Sequence, residues 1–182
     1  MINRMAILLF CVAATVSCAQ EDERQTPFVL DSTTLVAENG ELFALLEDYA
    51  EVIKKDIEIL REYDDQVIKY EFRVLDYGSF EVLFNLDFKV RNIFIREPGP
   101  RLLNGIGIGD PLESFLEDFQ DDPRYRVGIH EEHSSIHLYF TEFEHTRLHE
   151  VFKDVSPFGP SILVRYDENR RVNYINAGWE VP

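Results

Sequence analysis

Residues 104–119, NGIGIGDPLESFLEDF, constrain the fold more than any other stretch of this chain. Ile106 and Ile108 alternate with Gly105, Gly107 and Gly109 as they would along a strand. Asp110 then stands where a helix cap belongs, Pro111 at the first helical position, and Glu113 where a capping box needs an acid. The stretch predicts a strand that turns directly into a helix over Pro111–Phe119, stopped by Asp121-Asp122-Pro123. Its glycine spacing lacks both the dinucleotide fingerprint and a Gly-Lys-Ser/Thr step, and Asp110 would repel a phosphate. Bare glycines in such a run instead mark the close approach of another backbone or of a large side chain.

On either side of this stretch the period sorts the chain into helix and strand. From Glu41 to Tyr63, Leu42, Leu45, Leu46, Tyr49, Val52, Ile53, Ile57 and Leu60 recur at three and four, with Asn39 as cap, which predicts the longest helix. The period then drops to two over residues 68–75, 80–84 and 89–95, an expected three-strand meander with a bulge between Val90 and Ile93. Two further hairpins are expected: 125–129 with 136–140, and 161–166 with 171–177. Thr141–Val155 reads as helix or irregular chain. Val82–Ile93 and Val164–Ile175 are look-alike hairpins 82 residues apart, sharing Val82/Val164, Val90/Val172 and Ile93/Ile175. The fold class expected is therefore α+β, a helix packed on antiparallel sheet. A tandem duplicated α-then-β-meander unit explains the look-alikes, and so does convergence of hairpins on common turn chemistry.

At the N-terminus, Arg4 followed by the apolar run Met5–Val16 reads as a signal peptide over residues 1–17, too short to span a bilayer, which needs ~20 residues. Residues 18–27 read as a tether, 28–100 as a helix-plus-meander half and 101–182 as a helix-plus-sheet half, the two free to form one continuous domain. Without its leader the chain keeps 17 basic against 34 acidic residues, an excess of 17 negative charges that disfavours nucleic acid and anionic headgroups as partners. Solubility alone explains such a surface, and so does a basic protein partner. Cys11 leaves with the leader, so no intrachain disulfide is expected.

Two short motifs carry resemblances. Thr15-Val16-Ser17-Cys18 resembles the lipobox of bacterial lipoproteins, with Thr15 where an aliphatic is usual. It implies lipidation of Cys18 and, since Ala19 follows, an outer-membrane anchor facing the periplasm. Cleavage at Ser17-Cys18-Ala19 by ordinary signal peptidase would instead give a soluble periplasmic or secreted protein. Ile108-Gly109-Asp110-Pro111-Leu112-Glu113 is similar to the turn-into-helix step of small envelope proteins of the BamE (SmpA/OmlA) and β-lactamase-inhibitor-protein type, which implies a non-catalytic protein-binding surface.

Candidate functional residues fall into two groups. Tyr77, Phe88, Phe158 and Trp179 lie on expected turns or at the terminus, where the core has little need of them and a binding surface would use them. His130, His133, His137, His145 and His149 crowd into twenty residues among glutamates, a ligand set for zinc or a similar ion, although no HExxH pattern is present. Exposed edge histidines or a pH-sensitive patch explain the same crowding. No serine has a nucleophile-elbow context, and paired carboxylates such as Glu117-Asp118 read as solvated charge. The function expected is a non-catalytic, cofactor-free binding module for an envelope protein, as inhibitor or immunity factor, with a metal-dependent protein or enzyme as the alternative.

Overall fold

The computed structural model describes residues 31–67, 70–141 and 159–179. In chain order these form β1 (Leu35–Val36), β2 (Leu42–Phe43), the single turn α1 (Tyr49–Val52), β3 (Arg61–Val67), β4 (Tyr70–Asp76), β5 (Phe80–Phe84), β6 (Val90–Ile95) and β7 (Arg101–Leu102). Then come α2 (Leu112–Gln120), β8 (Tyr125–His130), a 3-10 turn (Glu131–His133), β9 (Ser135–Phe140), β10 (Pro160–Tyr166) and β11 (Val172–Trp179). The class is α+β, and mostly sheet. Eight antiparallel strands lie in the order β3-β4-β5-β6-β11-β10-β9-β8, and a small second sheet has the order β2-β1-β7. Two four-strand meanders thus abut through their last strands, Ile95 opposite Ile175 and Ile93 opposite Ala177.

The hairpins β5–β6 and β10–β11 match bond for bond. Val82 pairs with Ile93 as Val164 pairs with Ile175, and a bulge falls before Phe84 in one and before Tyr166 in the other. The expected bulge is therefore present, in both. At the tips, Asn85 Oδ1 accepts from the amides of Asp87 (3.1 Å) and Lys89 (2.9 Å), and Asp167 Oδ1 from those of Asn169 and Arg171 (both 2.9 Å). The chain ahead of each short helix docks alike: Leu46 N to Val90 O and Val90 N to Glu47 O in one half, Gly109 N to Val172 O and Val172 N to Asp110 O in the other.

One sheet face carries the core. Val82, Phe84, Ile93, Val164, Ile175, Leu138 and Trp179 are fully buried there, covered by Leu35, Phe43 and Leu102 of the small sheet and by α2. On α2, Leu112, Phe115 and Phe119 recur at three and four and face inward. Each such side chain contributes roughly 1.5–3 kcal/mol by leaving water. The other face holds a smaller apolar cluster, Phe72, Val74 and Leu83 with Tyr63 and Phe94 against it.

Three local expectations fail. The helix over Glu41–Tyr63 shrinks to Tyr49–Val52 between strands. Its supposed buried stripe is partly outside, with Leu42, Ile53 and Leu60 exposed, whereas Phe43, off the stripe, is fully buried. Strand pairing at both ends, β2 with β1 and β3 with β4, outweighs a weak helical preference. The glycine run is not a strand but successive turns, with a lone bridge from Gly107 to Arg101. Finally Asp110 does not cap α2: the N-cap is Pro111, without a side-chain bond, and Glu113 pairs with Arg170 instead of closing a box.

Candidate binding surfaces

The β5–β6 tip presents apolar residues to solvent. Leu86 is 72 % and Phe88 49 % exposed, and Phe88 holds φ +56°, the left-handed region where a bulky side chain costs about 1–2 kcal/mol. The Phe88 ring leans edge-on against Tyr49 (centroids 5.9 Å), and the Arg73 guanidinium lies over both, 5.5 and 5.8 Å from their centroids. Tyr49 donates to Glu62 (2.9 Å), and burial, then that carboxylate, raises its phenol above the usual value. At the matching tip, Arg170 adopts φ +57° and pairs with Glu113. The same backbone is thus compatible with an entirely polar tip, and the fold does not require Leu86 and Phe88 to be apolar.

A cleft of about 370 Å³ opens beside the C-terminal half of α2, lined among others by Asp31, Asn104, Asp118, Phe119 and Tyr125. It adjoins a second of about 180 Å³ that reaches back to Asp110 and Pro111 and shares Asn104, Asp118 and Phe119. The floor is held by aromatic packing: Phe119 meets Tyr125 edge-on at 5.0 Å, and the Tyr125 hydroxyl donates to Ser32 Oγ (3.0 Å). Burial raises the Tyr125 phenol, partly offset by Ser32 and Asn104. Arg124 grips Asp122 through Nε and Nη2 and holds its carboxyl below the usual range. The floor loop is fixed by Arg101, whose Nη1 and Nη2 donate to Asp110 Oδ2 (2.9 Å) and Oδ1 (2.7 Å), while Gly107 N also donates to Asp110 (2.9 Å). A Cβ on Gly107 would stand 2.9 Å from Arg101 Cγ, so glycine lets the arginine lie across the loop, the close approach that the glycine run implied.

Of the aromatics proposed for a surface, Phe88 is exposed but Tyr77 and Trp179 are not. The Tyr77 ring folds back from the end of β4 to stack on Phe80 (4.7 Å) and meet Phe43 (5.2 Å), and burial pushes its phenol up. Trp179 ends β11 within the sheet and is fully buried, its carbonyl accepting from Asn92 Nδ2 (2.9 Å). Chain position suggested exposure for both, and the packing of neighbouring strands decided otherwise. Phe158, His145, His149 and Cys18 lie outside the described residues. His130 and His137 bring their rings to 5.0 Å and His137 Nδ1 is 3.1 Å from the Tyr139 hydroxyl, while His133 is exposed in the 3-10 turn. Among the described residues no three His, Cys, Asp or Glu side chains converge as a metal would need. Among the described residues, no helix is long and apolar enough to cross a membrane. Sequence reasoning passed over Leu86 and Tyr49, assigned to a turn and a helix core, and Asn104 with Asp118, which only the fold brings together.

Compared with protein-family models, with curated proteins and with solved structures, the chain matches none of them.

Proposed function

We propose that the protein is a non-catalytic, lipid-anchored envelope protein whose folded part is a protein-binding module, acting as an inhibitor or immunity factor. The observation that carries this reading is the β5–β6 tip. A leucine and a phenylalanine stand about half or more exposed there, and the polar β10–β11 tip makes the same turn without either. Phe88, Tyr49 and Arg73 in one cluster are the residue types that dominate binding energy at interfaces. The excess of acidic residues favours a basic partner. On this reading Cys18 is acylated and the protein faces the periplasm from the outer membrane. The matched hairpins support a tandem duplicated α-then-meander unit, in keeping with the resemblance to the BamE and β-lactamase-inhibitor-protein group.

The test is capture from envelope extract at low and high salt by the wild-type chain, by Leu86→Asn and by Phe88→Asn. Capture that both substitutions abolish, with the melting temperature lowered by no more than about 4 °C, is the expected result. A partner held equally by all three proteins would remove the tip from the interface. A metal-binding reading is kept as second for one observation, the 5.0 Å approach of the His130 and His137 rings. Elemental analysis of the purified protein and of His130→Ala decides it.

A further inference from the structure

The two meanders differ in charge. Strands β3 to β6 carry Glu62, Asp64, Asp65, Glu71, Asp76 and Glu81, whereas β8 to β11 hold no aspartate or glutamate, in a chain with 34 acidic residues. Their cations are Arg126 and Arg165, both exposed and neither in an ion pair among the described residues. Strand register puts Arg126, His130, His137 and Arg165 on one face, the one turned from the core, because Val127, Ile136, Leu138 and Val164 between them face inward.

β8 is also an open edge of the eight-stranded sheet. Thr141 N donates to Arg124 O (3.0 Å), so antiparallel alternation makes Arg126, Gly128 and His130 the residues that exchange hydrogen bonds with β9. The amides and carbonyls of Val127 and Ile129 therefore point outward, and they take no hydrogen bond among the described residues. The Ile129 side chain beside them is 53 % exposed. At the opposite edge, β3 is guarded by Glu62, Asp64 and Asp65, whereas Val127-Gly128-Ile129 has no charge, no proline and no bulge.

We propose that the β8 edge takes an extended acidic segment of a partner protein as a ninth strand. Val127 and Ile129 bond the backbone of the segment, which supplies affinity, and its alternate side chains supply specificity. Every second side chain of an added strand stands beside Arg126 and His130, and the rest stand beside Val127 and Ile129. Carboxylates suit the first set and aliphatic groups the second. Charge complementarity selects the occupant: Arg126 has no carboxylate partner of its own, and a basic segment would meet repulsion from it. β5 and β6 stand third and fourth in the sheet and β8 eighth, so this edge is separate from the β5–β6 tip.

The probe is an acetylated, amidated heptapeptide of alternating glutamate and valine, with the lysine-for-glutamate analogue as control. It is titrated into the full mature chain and followed by amide hydrogen exchange and chemical shifts. The Val127 and Ile129 amides should exchange freely in the unbound chain and become protected on binding, with affinity about tenfold lower in Arg126→Gln. Ile129→Pro removes one outward donor, leaves the β8–β9 bonds in place and should abolish binding. Arg126→Gln alters only an exposed side chain, so it decides the matter even where the proline variant fails to fold. Equal binding of the lysine peptide, or undiminished binding by Arg126→Gln, would overturn the proposal. So would Val127 and Ile129 amides already protected in the free monomer, which would show the chain covering its own edge. Self-association by sedimentation that Ile129→Pro removes would put a second copy on the edge and overturn it as well. Phe88→Asn should leave the titration unchanged, so the tip and the edge stand or fall separately.

Discussion

Replacing Phe88 by asparagine separates what the fold needs at that position from what a partner would need. A buried phenylalanine removes 150–250 Å² from water, so the half of Phe88 that is covered accounts for about 100 Å², or at most about 2.5 kcal/mol at ~25 cal/mol per Å². Against this, asparagine tolerates the left-handed conformation and relieves about 1–2 kcal/mol. The net cost is then about 1 kcal/mol, which for a domain of this size lowers the melting temperature by about 2–4 °C. Phe84→Ala, at a fully buried position four residues away, should cost about 3–5 kcal/mol. Differential scanning calorimetry of both variants makes the comparison directly. A loss at Phe88→Asn equal to that at Phe84→Ala would refute the argument, since Phe88 would then be a core residue and its exposure no sign of a binding surface.

Gly178→Ala should prevent folding or cost more than about 3 kcal/mol, because its Cβ would stand 2.4 Å from Arg91 O at the β6–β11 seam and its φ is +150°; circular dichroism of the purified variant checks this. In acid, Glu113 and Asp122 are held low by Arg170 and Arg124, so their contribution is complete above the ordinary values of 4.5 and 3.8 and is lost as pH falls through the lower folded values; urea midpoints measured between pH 6 and pH 2 should show the decline. In alkali the sign reverses: burial raises Tyr77, Tyr125 and Tyr174 above 10.0, so stability they support below that pH is lost as pH climbs towards the folded values, and absorbance at the tyrosinate band should show a late-titrating group of tyrosines that joins the early one on unfolding. Cys18→Ser should move the protein from the membrane to the soluble fraction, and a mature N-terminus found by mass spectrometry at unmodified Gln20 would exclude the lipid anchor.

The sequence by itself determined the local elements whose signals are short-range. Period-2 alternation located β5, β6, β8 to β11, and the turn chemistry of Asn85 and Asp167 set both hairpin tips. Pro111 and the three-and-four spacing of Leu112, Phe115 and Phe119 located α2. What only the tertiary structure decided were the segments with two local solutions. Residues 41–63 read as helix because Leu, Glu and Lys favour it, yet pairing with neighbouring strands gave backbone bonds and buried Phe43, which no amphipathic helix through Leu42, Leu46 and Tyr49 would have done. Tyr77 and Trp179 lie at chain positions that suggest exposure, and only the packing of Phe43, Phe80 and Asn92 around them settles their burial. The cleft was invisible for the same reason: Asp31, Asn104 and Asp118 are far apart in sequence, and a site assembled by contacts between distant segments leaves no local pattern to read.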